Sequence, residues 1–108
     1  MATDKEFVDF IVETIQDFGT ITSRKMFGEA CVYVNGKPIF LVTNNTVHVK
    51  MKDEIKDFMV SSETGYPYDG AKLHYILDIE NRDLIEQVIP ILEDITPLPK
   101  PKKKKTPL

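Results

Sequence analysis

Three features of the sequence predict an α+β fold, with an antiparallel β-sheet and helices packed on one face. An apolar stripe of helical period opens the chain and a second one closes it. Between them lie alternating segments punctuated by Asn35-Gly36 and Asn44-Asn45, dipeptides that accept the positive φ angles of tight hairpins. The element order reads α-β-β-β-α-β-α.

The first helix is expected over about Asp4 to Phe18. Thr3 and Glu6 have capping-box spacing, and Phe7, Phe10, Ile11, Ile15 and Phe18 form the stripe. Gly19 ends it, since glycine tolerates φ > 0. Ala30–Val34, Ile39–Val42 and Thr46–Lys50 then make a three-stranded meander with one buried and one wet face. Asp53 to Val60 reads as a short helix with Ile55, Phe58 and Met59 inward, and Ser61 to Gly70 as a loop rich in turn formers. Lys72 to Ile79 alternates again, with Leu73, Tyr75, Leu77 and Ile79 on one side. Asn81 can cap a last helix to about Asp94, in which Pro90 removes a hydrogen bond and predicts a kink or a second short segment.

Residues 1–96 are thus one folded body, and 97–108 a disordered Pro/Lys tail, because proline and lysine cannot bury a core. A chain of 108 residues with 42% apolar and 29% charged residues has room for one core and needs no disulfide. Its single cysteine, Cys31, suits a reducing compartment, and no signal peptide or membrane-spanning run is visible, so a cytoplasmic location is expected. Charge is segregated. Seventeen acidic and nine basic residues give the first 99 positions a net −8, while five lysines in the last nine positions contribute +5.

Catalytic chemistry is not expected. Cys31 lies among small and apolar strand residues, without the electropositive setting a thiolate needs. One cysteine and two histidines far apart in sequence do not supply metal-ligand spacing, so no metal or cofactor is expected. The carboxylates fall mainly at helix starts and in loops, where solvated or capping roles suffice, and no phosphate loop or nucleophile elbow is present. Arg24-Lys25-Met26-Phe27-Gly28, read as the connection from the first helix to the first strand, offers two cations to an anion or acidic partner. Set against that, Met26 and Phe27 can simply plug the core while the cations are solvated.

This stretch, with Val32-Tyr33-Val34, Gly36-Lys37, Phe40-Leu41-Val42 and Val47, Val49 and Lys50, resembles the N-terminal domain of the TfoX/Sxy proteins. Tyr66-Pro67-Tyr68 and Tyr75 sit where that family has its aromatic loop and next strand. The likeness covers about residues 4 to 95. It implies a fold similar to secretion chaperones and a bacterial, non-enzymatic, dimeric protein of regulatory type, the family's named members being competence regulators that act with a transcription factor. Here Glu29 replaces a second glycine, the later strand lacks tryptophan, and a lysine tail stands where the two-domain regulators have a further domain.

Two functional expectations follow. One is a protein-interaction or regulatory module, a homodimer interface being offered by Cys31, Tyr33 and Ile76 on the sheet's outer face, with Arg24, Lys25, Tyr33, Tyr66 and Tyr68 as candidate partner- or anion-binding residues. The other is a nucleic-acid accessory protein that binds non-specifically through Lys100, Lys102, Lys103, Lys104 and Lys105, its acidic body repelling phosphates.

Overall fold

The computed structural model describes residues 3–26 and 29–98. Helix α1 (Lys5–Ile15) continues into a 3₁₀ turn, Gln16–Phe18. Strands β1 (Ile21–Met26), β2 (Glu29–Val34), β3 (Lys37–Thr43) and β4 (Thr46–Lys50) follow as an antiparallel meander. A 3₁₀ segment, Asp53–Met59, leads to β5 (Thr64–Gly65), β6 (His74–Leu77) and helix α2 (Arg82–Ile95). The six strands form one antiparallel sheet in the order β1-β2-β3-β4-β6-β5.

Alternation puts Ala30, Val32, Val34, Phe40, Val42, Val47, Val49, Tyr75 and Leu77 in the core. Against them pack Val8, Ile11 and Ile15 of α1 and Ile85, Val88, Ile89 and Leu92 of α2, with Ile55 and Met59 closing one end. The hairpins form as their dipeptides dictate: Asn35, Gly36, Asn44 and Asn45 all have positive φ. Asn81 caps α2 by accepting from the Leu84 amide at 3.2 Å.

Several expectations are corrected. Arg24 and Lys25 lie within a strand, β1, because the polar stretch 21–26 is held by its ladder to β2. Thr3 makes no capping box; its buried hydroxyl donates to the Val42 carbonyl at 3.2 Å. The start of α1 is pinned instead by Asn45, which accepts from the Asp4 amide at 2.9 Å. Val8 replaces Phe10 on the buried stripe, and Phe10 and Phe58 are exposed. Despite Pro90, α2 is one helix and not two segments. Pro90 and Glu86 both face solvent, so water can satisfy the Glu86 carbonyl that the missing N–H leaves free. Among the described residues no helix is long and apolar enough to cross a membrane.

Candidate functional site

With both helices and the 3₁₀ segment committed to the core face, the opposite sheet face is open to other uses. Register builds a row straight across it: Arg24 opposes Cys31, Cys31 opposes Leu41, Leu41 opposes His48, and His48 opposes Ile76. Tyr33, two residues along β2 from Cys31, shares this face. Cys31, Tyr33, Leu41 and Ile76 are each half-buried, giving an apolar strip with a cation at its β1 end.

The loop after β5 crosses the other end of the row. Pro67 is buried there, while Tyr66 and Tyr68 are 65% and 49% exposed. Beneath the loop is a cleft of about 520 Å³ whose walls include Tyr66, Tyr68, His48, Ile76 and Glu29. The cover accounts for the 4% exposure of His48, a residue on what would otherwise be a wet face.

The two histidines, far apart in sequence, meet through β4–β6 pairing. Their rings stand edge to face with centroids 6.3 Å apart. His48 Nδ1 lies 3.2 Å from the Leu41 carbonyl and His74 Nδ1 lies 2.8 Å from that of Lys72, so in the neutral form each donates to backbone. Burial holds the His48 imidazole below its ordinary range, and His74 adds to the effect; the Leu41 and Thr46 backbone oppose it. The unfolded chain therefore binds a proton near pH 6.5 that folded His48 resists. Its contribution is fully present above that pH and is lost as pH falls through the lowered folded value. Thermal melts from neutral pH to about pH 5 are expected to show a drop in Tm that His48→Gln reduces. An equal drop in both proteins would refute the assignment.

Burial also pushes the Cys31 thiol up, against the Tyr33 hydroxyl and the positive charges of Arg24 and Lys50. Burial therefore favours the protonated thiol. Among the described residues, no three His, Cys, Asp or Glu side chains are grouped to hold a metal ion.

The five candidate residues of the body thus separate. Arg24 and Tyr33 share the open face, and Tyr66 and Tyr68 overhang its far end. Lys25, next to Arg24 in a strand, is on the opposite face, where it lines a cavity with Val8 and Asp9 of α1. The two cations therefore do not form one anion cradle. Phe27, Gly28, Lys100 and Lys102 to Lys105 lie outside the described residues. Sequence spacing weighs the two histidines only as metal ligands with Cys31; the places of His48 and Leu41 in the row depend on register.

A family model described as the TfoX N-terminal domain matches residues 13–78, from within α1 to just past β6. An uncharacterized 12.7 kDa protein in the trpE 5′ region of Spirochaeta aurantia is 31% identical over 108 residues, spanning 98% of this chain and 94% of that protein.

Proposed function

The chain belongs to the TfoX N-terminal domain family, and from that premise we propose that it is a non-enzymatic, cytoplasmic interaction module of regulatory type that works as a homodimer. The observation that carries the reading is the half-buried strip of Cys31, Tyr33, Leu41 and Ile76, which no helix covers. Apolar surface of this kind gains free energy when a partner removes it from water, at about 25 cal/mol per Å². The family resemblance adds transcriptional regulation as the class of role, with a transcription factor as the class of further partner. Nucleic-acid association through Lys100 and Lys102 to Lys105 is the second reading, supported by their charge.

Sedimentation velocity tests the first reading. The wild-type chain is expected to sediment as a dimer, and Tyr33→Asp and Ile76→Asp as monomers with unchanged circular dichroism. Tyr33→Ser, which adds no charge, is expected to weaken the dimer without abolishing it. A wild-type chain that stays monomeric throughout the micromolar range would remove the homodimer.

A further inference from the structure

The open end of the β4–β6 pair collects positive charge in a body whose net charge is −8. Lys50 opposes His74 in the ladder. Lys52 and Lys72 lie just beyond the end of the ladder, and the four side chains line one cavity of about 320 Å³ with Met51 and Leu73. A short turn, in which the Lys52 amide donates to the Lys50 carbonyl at 3.0 Å, holds the first two lysines close. Among the described residues, none of the three lysines is in an ion pair; the ion pairs take Lys5, Lys37 and Arg82, and Arg24, Lys25 and Lys56 are likewise outside them. Asp53 and Glu54 come next in the chain, but they begin the 3₁₀ segment and neither lines the cavity.

Like charges gathered around one cavity repel one another. No carboxylate shares the lining with these three lysines. Local choices that work against the fold mark places where another requirement is being met. Met51 and Leu73 are 43% and 38% exposed between the cations. The lining therefore offers charge and apolar contact together.

We propose that this cavity binds an acidic, apolar-containing peptide segment of a partner protein. Carboxylates would meet Lys50, Lys52 and Lys72, and an apolar side chain would lie on Met51 and Leu73. A nucleic-acid backbone fits less well. The lining has no arginine fork for phosphate, and the acidic body repels an extended polyanion at long range. The inference deepens the interaction-module reading by naming the partner's chemistry.

The test is fluorescence anisotropy with a labelled short peptide of alternating glutamate and leucine, using the full-length chain at low and physiological salt. Wild type is compared with Lys72→Glu, the lysines from Lys100 onward being unchanged in both, so that any difference reports the cluster. Lys72→Glu is expected to weaken peptide binding at least about tenfold. It should also raise Tm by a few degrees, since a carboxylate then shares the cavity with Lys50 and Lys52. A glutamine-leucine peptide should bind neither protein. Equal peptide binding by wild type and variant would overturn the proposal, as would labelled duplex DNA that loses as much affinity as the peptide does. A monomeric wild-type chain that still binds the peptide through Lys72 would sink the homodimer and leave this site standing.

Discussion

Phe40→Ala is expected to destabilise the protein by about 3–5 kcal/mol, much of the 5–15 kcal/mol that holds a domain of this size folded. Phe40 is 1% exposed and is the largest of the fully buried side chains. It stands on β3, inside the sheet, opposite Val32 of β2. Removing the ring forfeits its transfer free energy and leaves a cavity that flanking strands cannot collapse into without breaking their ladders. Urea unfolding should show a lower midpoint with an unchanged slope. Phe40→Leu, which retains most of the volume, is expected to cost less than half as much. Comparable losses for the two variants would mean that the ring's volume is not what the site needs.

Gly19→Ala should cost about 2–4 kcal/mol, although the residue is exposed. Gly19 turns the chain from α1 into β1 with φ +146°, a conformation L residues rarely adopt. A Cβ there would stand 2.6 Å from Asn35 Oδ1. That oxygen accepts from the Thr20 amide at 2.9 Å, and the Asn35 amide donates to the Thr20 carbonyl at 2.8 Å. Relieving the clash therefore breaks a hydrogen bond tying the helix exit to the β2–β3 turn. Asn35→Gly keeps the turn's positive φ and gives up that bond, so alone it should cost about 1 kcal/mol. Combined with Gly19→Ala, it should remove the clash and leave the φ strain, making the pair cost less than the sum of the singles. Additive losses from urea midpoints would show that the Asn35 contact is not involved.

Much of this fold is legible locally because the signals are local. Asn35-Gly36 and Asn44-Asn45 specify their turns by positive φ, and Asn81 specifies a helix start by a side-chain acceptor three residues from its donor. The strip on the outer face is partly legible too, since Cys31, Tyr33 and Ile76 follow from alternation alone. Strand β1 is not. Thr22, Ser23, Arg24 and Lys25 carry no apolar alternation, and they are extended because β2 offers them a ladder. Thr3 illustrates the same limit: its spacing to Glu6 fits a cap, yet a buried carbonyl 39 residues away takes the hydroxyl.

Local reading is enough for the class of the fold, both hairpins, most of the apolar stripe of each helix, and the segregation of charge between body and tail. Only the folded chain parts Arg24 and Lys25 to opposite faces, sets His48 beside His74 and under the Tyr66–Tyr68 loop, and brings Lys50, Lys52 and Lys72 to one cavity. The difference is one of range. Periodicity and turn chemistry act over a few residues, whereas a site is an agreement of register between strands, and register is set by the packing of the whole core.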